Sequence, residues 1–349
     1  MIRDLLKRVS KLPIPMPLSL PTRLLGFIRR FGGRKLNAAG LVFLTAVTMA
    51  ALLADVLASS TPIAFSLNSQ VHVLPVLFKP DNMDNLDNHA ITKAIESSGG
   101  WALLPPIPYD PNQTKVAGNI SWLESPSGRH LLGTDDKGRD VLARIIHGAR
   151  SALLVGLGSV SLYLLVAIFL GAVAGYFGGF VDRIALRLIE TLTSFPTFFL
   201  ILTLQGLLGA TSVAQLVLVI GLTRWTDVAS LTRAEVMRVA NEDYVTAARA
   251  LGLGHPRILL KHVLPGAMAP ALVAATFGVA GAILIESTLS FLGFGVPSTT
   301  SSWGQLLTDA FQNEGCYWLA IFPGMVLFLT ILSINIVGEG LREALDPSS

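Results

Sequence analysis

The residues best suited to chemistry stand together in the string 130–150, HLLGTDDKGRDVLARIIHGAR. Gly133 and Gly138 have the spacing of the glycines in a phosphate-binding loop. Such a loop requires Lys followed by Ser or Thr after the second glycine, and Arg139 and Asp140 stand there instead. The string therefore does not predict a nucleotide site.

Charges of both signs alternate in the same string. Acids that precede a helix accept hydrogen bonds from its first N–H groups, and oppositely charged side chains three or four residues apart pair on one helix face. We therefore expect a short helix cap and mutual ion pairs at a membrane edge from Asp135, Asp136, Arg139 and Asp140.

A second candidate is Glu286, an ionisable residue within the otherwise apolar stretch AILIESTLSFLGFG. A carboxylate at membrane depth is a functional candidate because it is unfavourable against lipid. In the functional interpretation, Glu286 lines a translocation pathway with Ser287 and Ser290. In the structural one, it lies near the outer mouth and accepts hydrogen bonds from Ser287, Thr288 or a neighbouring helix.

Other reactive arrangements are not indicated. The sequence contains no HExxH pair, and no Ser/His or paired-Asp arrangement can be placed at one depth, which argues against an enzyme. The single Cys316 excludes an internal disulfide and a cysteine-based metal cluster. Asp81, Asp84 and Asp87 lack the turn glycine of a calcium loop, so a solvated acidic stretch is favoured. We expect no catalytic residue, no metal and no cofactor bound by this chain.

The composition sets the class of protein. Of 349 residues, 52% are hydrophobic and only 14% charged, and the mean hydropathy is +0.60. An ordinary soluble domain carries about a quarter charged residues. The net charge of +3 is too small for a nucleic-acid-binding surface. The sequence predicts an all-α polytopic membrane protein.

Four regions follow from the distribution of charge. A basic tail over residues 1–37 carries nine Lys or Arg against Asp4, which favours the cytoplasmic side. A first transmembrane helix is predicted at 38–60, a retained anchor in preference to a cleaved signal peptide. A polar insertion at 61–130 is placed outside, and a core with five more helices occupies 131–349.

The predicted spans of the core are 151–176, 191–208, 212–225, 267–294 and 317–337, which puts both chain ends inside. Gly171, Gly175 and Gly179 repeat at four-residue intervals and predict a close helix–helix approach. Residues 177–190 are predicted as an inside turn. Pro196 falls near the start of the third span, and Pro323 interrupts the sixth. Residues 296–316 are predicted as an outside loop with Trp303 at the interface.

Between the fourth and fifth spans lies the stretch 241–265, NEDYVTAARALGLGHPRILLKHVLP, which predicts a docking element. Asn241 is the expected cap of a helix that runs to about Leu251. Its apolar face would hold Tyr244, Val245, Ala248 and Leu251, and its opposite face Thr246 and Arg249.

Glycines and prolines predict how the same stretch ends. Gly252-Leu253-Gly254 breaks the first helix. Pro256 suits the first turn of a second short helix, and Pro265 is expected to end it. Two short helices joined by a glycine elbow would form a compact element on the inner face, of a shape that fits a groove in a soluble partner.

This stretch resembles the EAA loop of ABC-transporter permeases in Ala247-Ala248, Gly252 and Leu264-Pro265. The strings DYVTAARALG, SFLGFGVP and GTDxxGRDxxxR are similar to the dipeptide, oligopeptide and nickel importer permeases, of the second-subunit type. The family's Glu is Thr246 here and its Ile is His262, so Glu242, Asp243 or Arg249 would replace the charged contact.

The resemblance implies six transmembrane helices of the type I ABC importer permease kind, with an extracytoplasmic insertion after the first. It implies an inner-membrane subunit that takes up peptides with a second homologous permease, two ATPase subunits that hold ATP and Mg, and an extracytoplasmic peptide-binding protein. The implied ATPase-docking residues are Glu242, Asp243, Tyr244, Thr246, Ala247, Ala248, Arg249, Gly252, Leu264 and Pro265.

One rival class stays open from the residues alone. A stand-alone ion-coupled carrier or channel would use intramembrane charges, for which Glu286 and Asp55 are the candidates. Such carriers are commonly built from inverted repeats, and no such repeat is visible in the sequence.

Overall fold

The computed structural model describes residues 35–67, 70–73, 75, 100–114, 122–209 and 212–345, which are mostly helical. The basic tail before residue 35 lies outside the described residues, and so do Asp81, Asp84 and Asp87. A three-stranded antiparallel sheet occupies the insertion, with the strand order β2-β1-β3.

The elements of the described chain, in order, are α1 (Lys35–Leu52), α2 (Ala54–Leu57), β1 (Ala64–Leu67), β2 (Gln70–Val73), β3 (Ala102–Leu103), α3 (Val141–Phe177), α4 (Gly179–Thr193), α5 (Thr197–Leu208), α6 (Val213–Thr223), α7 (Trp225–Val239), α8 (Asp243–Ala250), α9 (His255–Ile258), a π-helical turn (Leu259–Val263), α10 (Leu264–Phe291), α11 (Trp303–Gln312) and α12 (Tyr317–Leu345).

Four helical segments of the described chain are long and apolar enough to cross a membrane. They are α1, α3, the continuous segment His255–Phe291 and α12. Helices α4 and α5 pass the same test as a pair bent by 78°. Helix α6 is apolar, but its 11 residues reach only ~16 Å of a ~30 Å hydrocarbon core. The predicted number of six spans therefore stays a prediction.

Helices α3 and α7 lie almost backbone to backbone. A Cβ on Gly171 would lie 2.6 Å from the Ala229 carbonyl oxygen, and one on Gly175 would lie 2.5 Å from the Arg233 carbonyl oxygen. The predicted role of these two glycines is confirmed, because only a missing side chain permits this distance. The prediction for Gly179 is wrong: its φ is +55° and no atom would lie within 4 Å of its Cβ, so it serves a turn.

The segment after α3 differs from the prediction. Residues 177–190, predicted as a turn, fall mostly within α4. The predicted third span, 191–208, is not one helix. Helix α4 ends at Thr193, and Pro196 is the N-cap of α5. Proline lacks an N–H donor and disfavours the α conformation in the residue before it, so the chain breaks here.

The insertion is tied to the helices on either side of it. The backbone N–H of Ser59 donates to the Ile107 carbonyl (3.2 Å), and the Asn112 side-chain amide donates to the Thr299 carbonyl (2.7 Å). Ile107 and Asn112 belong to the insertion, and Thr299 lies between α10 and α11. The insertion therefore packs over the loop that joins these two helices.

The predicted outside loop 296–316 contains helix α11, and Trp303 begins it. The expectation of an interfacial Trp303 is wrong, because its side chain is fully buried and its Nε1–H donates to the Ile145 carbonyl at 3.0 Å. Gly148 makes the space, since a Cβ there would lie 2.9 Å from the indole. The indole thus fixes α11 to the N-terminal part of α3.

Two helices differ from their predicted bounds. Helix α3 begins at Val141, ten residues before the predicted start of the second span, and α12 continues through Pro323 to Leu345. Helix α1 packs along α12, where a Cβ on Gly40 would lie 3.4 Å from the Ser333 carbonyl oxygen. The first and last long helices are thus neighbours.

A substitution at the α3–α7 contact tests its importance. We expect Gly171→Ala to destabilise the protein by roughly 1–3 kcal/mol, because the added methyl group must push the two backbones apart. The measurement is the thermal unfolding midpoint of the purified protein in detergent, which should fall by several degrees.

Gly206→Ala in α5 is the matched control, because its Cβ would meet no atom closer than 3.6 Å. Equal midpoints for the two variants would show that the α3–α7 distance is not a constraint.

Candidate functional site

The predicted docking element, residues 241–265, begins where α7 ends. Asn241 does not cap the next helix, which is a correction; its side-chain amide donates to the Met237 carbonyl of α7 at 2.8 Å. Glu242 is the N-cap of α8, and its carbonyl accepts from the backbone N–H of Val245 at 3.0 Å. Its carboxylate instead accepts a hydrogen bond from Arg238 at 3.0 Å. A charge pair with α7 thus takes the place of a side-chain cap.

Helix α8 buries a narrow face. Val245 and Ala248 are buried against the ends of α7 and α10. The predicted apolar face is too wide, because Tyr244 is 50% exposed and Leu251 is 80% exposed. Two side chains suffice on a helix of eight residues, which presents about two turns to the core. Most of the surface of α8 is available to a partner.

Helix α8 ends in a Schellman motif at Gly252. The N–H of Gly252 donates to the Arg249 carbonyl (2.9 Å) and the N–H of Leu253 to the Ala248 carbonyl (3.3 Å), the paired bonds of this motif. Gly252 has a φ of +77°, a left-handed conformation that other L-residues adopt only at an energetic cost. The predicted helix break at this glycine is confirmed.

The second half of the element does not end at Pro265. Helix α9, the π-helical turn and α10 form one continuous helical segment from His255 to Phe291. In the π-helical turn the N–H of Leu264 donates to the Leu259 carbonyl, five residues back. This wider turn ends directly before Pro265, which has no N–H and occupies the first turn of α10. Any displacement of α9 therefore acts directly on α10.

The element also contacts the C-terminal end of α3. The Tyr176 hydroxyl lies 3.0 Å from His255 Nδ1, and the Arg249 guanidinium lies 5.6 Å from the centre of the Tyr176 ring. The Tyr244 hydroxyl donates to the His262 carbonyl at 3.2 Å. These contacts hold α8 and α9 against α3, and α8 against the π-helical turn.

The predicted docking residues thus form one surface at the shared end of α3, α7 and α10. Ala248 is buried and Leu264 is partly buried, so these two support the element from within. The exposed members, which a partner can reach, are Glu242, Asp243, Tyr244, Thr246, Ala247, Arg249, Gly252 and Pro265.

Far from this surface, Glu286 is fully buried in α10. Its carboxylate accepts from Ser290 (2.8 Å), Ser302 (2.9 Å) and Ser287 (3.3 Å). The prediction that Thr288 bonds Glu286 is wrong, since the Thr288 hydroxyl donates to the Leu284 carbonyl. Three hydroxyl donors around one carboxylate satisfy a buried polar group.

Ser302, which the sequence reasoning missed, is the hydrogen-bond donor that links Glu286 to another helix. Its hydroxyl also accepts the Gly304 N–H and caps α11, so the carboxylate joins α10 to α11. Within this chain Ser287 and Ser290 are buried as well. Their predicted role in lining a pathway stays a prediction.

The string 130–150 forms a buried ion cluster at the start of α3. Arg144 donates to Asp135 (2.5 Å) and to Asp309 of α11 (2.8 Å), and Arg139 donates to Asp135 (2.7 Å). Burial raises the pKa of the Asp309 carboxyl, and the neighbouring Arg144 opposes that rise. The expected pairing of Asp135 with Arg139 is confirmed.

Asp140 supplies the predicted helix cap. Its carboxylate accepts from the Ala143 N–H at 2.8 Å and lies 2.8 Å from His130 Nδ1. The cap begins α3, the longest helix described, and not a short one.

A metal ion is the competing interpretation of this cluster, because carboxylate oxygens of Asp135, Asp136 and Asp309 lie within 4.8 Å of one another. Two guanidinium groups already supply positive charge to these oxygens, so the arrangement is that of an ion-pair network. Sequence reasoning missed Asp309, since nothing in its neighbourhood sets it apart from a surface acid. Asp55, a candidate of the rival class, pairs with Arg150 at 2.8 Å.

The contribution of the ion cluster to the free energy of unfolding can be tested. We expect Arg144→Met to destabilise the protein by about 3–5 kcal/mol, because it leaves buried carboxylates without their counter-charge. Thermal unfolding in detergent measures the effect.

Arg187→Met is the control, because Arg187 pairs with Glu190 and no other acid among the described residues, on an exposed surface of α4. If the two variants unfold at the same temperature, the cluster does not hold α11 to α3.

The amino-acid sequence is similar to those of known membrane transport proteins. Residues 167–349, which include the docking surface and Glu286, match the family described as binding-protein-dependent transport system inner membrane component. The chain is 41% identical over 252 residues to a di/tripeptide transport system permease protein of Pseudomonas aeruginosa, covering 70% of this chain and 83% of that protein.

Two further relatives agree. An oligopeptide transport system permease protein of Haemophilus influenzae is 40% identical over 65% of this chain and 73% of its own length. A dipeptide transport system permease protein of Alkalihalophilus pseudofirmus is 37% identical over 64% of this chain and 74% of its own. The chain belongs to the family of binding-protein-dependent transport system inner membrane components and is a permease subunit of the ABC importer type.

Proposed function

We propose that this chain is one of two homologous membrane subunits of an ATP-driven importer of di-, tri- or oligopeptides. Two ATPase subunits hold ATP and Mg, and a peptide-binding protein delivers the substrate from outside. The names of the relatives, which are di/tripeptide, dipeptide and oligopeptide permease proteins, support the substrate class.

The observation that carries the proposal is the docking surface at 241–265. Helix α8 is held from behind by Val245 and Ala248 and exposes its other side, as a helix that lies in a partner's groove does. Because α9 continues into α10, a push on the surface reaches the centre of the protein without passing through a flexible loop.

The orientation follows from the same surface. With the ATPases in the cytoplasm, the docking surface lies inside, and the insertion at the opposite ends of α3 and α10 lies outside. Both chain ends are then cytoplasmic in a bacterial inner membrane, as the basic tail also favours. The insertion covers the outer mouth, where the binding protein approaches.

The direct test is co-purification. We expect the tagged chain to bring with it a second permease and an ATPase, and ATP hydrolysis by that complex to increase when peptide-loaded binding protein is added. A chain that purifies alone and moves solute down an ion gradient would instead establish the rival carrier class.

The docking surface has its own test in Gly252→Asp. We expect this variant to insert normally but to lose most of its bound ATPase, because Asp at a φ of +77° strains the motif that orients α8. The measurement is the ATPase-to-permease ratio in the purified complex.

Gly254→Asp is the matched control. It adds the same charge two residues away, at a φ of −68° and at the N-cap of α9, where Asp is favourable. Normal ATPase binding by the Gly252 variant would remove the motif from the mechanism, and equal loss in both variants would assign the effect to charge.

A further inference from the structure

A cavity of about 180 Å³ opens between the insertion, α3, the start of α6 and the loop that joins α10 to α11. It lies at the end of α3 opposite to the docking surface. Its walls carry polar groups from the insertion, α3 and the loop, and the apolar lining residues are Leu154, Val213 and Pro111. The polar lining residues are Asn112, His147, Arg150, Ser151, Thr299, Thr300 and Ser301.

Arg150 is the charged donor of this cavity. Its guanidinium is held by two contacts, from Nε to the Ala51 carbonyl (3.1 Å) and from Nη2 to Asp55 (2.8 Å), and the side chain is 38% exposed. A guanidinium has five N–H donors, so these two contacts leave donors for a ligand. The fixed position favours a planar carboxylate, which Arg can bind with two parallel hydrogen bonds.

Ser301 adds a second and independent indication. Its hydroxyl is buried, with the residue 4% exposed, and has no hydrogen-bond partner among the described residues. Buried hydroxyls are normally satisfied, because an unpaired one is unfavourable by roughly 1–3 kcal/mol. Ser301 lines the cavity, and rotation about its Cα–Cβ bond turns this unpaired hydroxyl from the wall toward a ligand that brings a donor or an acceptor.

The neighbours of Arg150 decide which anion fits. Asp55 lies against the guanidinium, and His147 is directed to the Ala58 carbonyl at 2.8 Å. A multiply charged anion such as phosphate would be repelled by the Asp55 carboxylate. A singly charged carboxylate is repelled less by Asp55 and still accepts from the remaining donors of Arg150.

The size of the cavity restricts the ligand further. Pockets for drug-sized molecules begin at about 300 Å³. The cavity accommodates one residue and not a whole peptide. A peptide end with a free carboxylate is therefore the chemical group that matches the charge, the hydrogen-bonding groups and the volume.

We propose that this cavity binds the C-terminal residue of the transported peptide, with its carboxylate on Arg150 and its last N–H near Ser301. The proposal rests on the proposed function and adds a substrate site on the permease itself. It selects peptides with a free C-terminus, whatever their side chains further from that end.

The site is connected to the centre of the protein. Ser151 donates to the Ser301 carbonyl at 2.6 Å, and the next residue, Ser302, donates to Glu286 of α10. The wall of the cavity is thus bonded to the helix that reaches the docking surface. An occupied site and a bound ATPase act on opposite ends of the same helix.

The test uses the complete complex with its binding protein, reconstituted in nanodiscs. The probe is the tripeptide Ala-Ala-photoleucine as the free acid, compared with its C-terminal amide and with photoleucine-Ala-Ala. After illumination during ATP hydrolysis, labelled residues are mapped by mass spectrometry. We expect the free acid to label the segments 147–154 and 299–301, and the amide to label them about tenfold less, the loss of one charge-assisted hydrogen bond.

Two variants test the residues. Arg150→Gln should lower labelling by the free acid to the level of the amide and abolish the difference between them. Ser301→Ala removes a hydroxyl that has no partner among the described residues, so it leaves the fold intact and should reduce labelling severalfold. Arg187→Gln, an exposed arginine on α4, is the control and should leave labelling unchanged.

The outcomes separate the two proposals. Failure of the binding protein and peptide to stimulate ATP hydrolysis would overturn the proposed function. Stimulated hydrolysis together with equal labelling by acid and amide, or with labels confined to other segments, would overturn the cavity alone. If Arg150→Gln does not assemble, the Ser301→Ala variant decides, and unchanged labelling there also counts against the site.

Discussion

The close contact between α3 and α7 is the constraint on which the rest of the permease depends. Gly171 and Gly175 let the two backbones meet with no side chain between them. Two helices packed this way cannot separate or slide by a small amount, since each carbonyl of α7 occupies the space of an absent Cβ. The end of α7 therefore has a fixed position, and the docking surface begins two residues beyond it.

Helix α3 carries this constraint to the other side of the membrane. Its first turns bear Asp140 as a cap, Arg144 in the ion cluster and the carbonyl that holds Trp303. Its last turn bears Tyr176, which contacts the docking surface. One helix of 37 residues thus positions α11 at one end and α8 at the other.

Much of the docking surface could be predicted because it rests on local rules. The helix break at Gly252 requires only that glycine tolerates a positive φ, and the paired glycines of α3 require only their spacing. The errors have a different origin. Asn241, Pro265 and Trp303 each carry a strong local preference, and in each case a distant or neighbouring contact that the sequence does not display overrides it.

The partners of the buried charges show the same limit. Asp135 and Arg139 lie four residues apart and could be paired from the sequence, whereas Arg144 with Asp309 and Glu286 with Ser302 join separate helices. A long-range pair depends on the packing of whole elements, and in this chain the elements themselves were only partly foreseen. Most of α4 was predicted as a turn, α11 as part of a loop, and α7 was not predicted at all.

Because His255–Phe291 is one continuous helical segment, a tilt at one end of it displaces the other end. From the π-helical turn to Glu286 the segment is ~35 Å long at ~1.5 Å per residue, so a tilt of only ~5° about that turn moves Glu286 by ~3 Å. The π-helical turn, with its wider and weaker hydrogen bonding, is the natural pivot near the short arm. A small displacement at the end that carries α8 and α9 thereby becomes a larger movement at the opposite end of α10, where Glu286 is bonded to Ser302 at the start of α11.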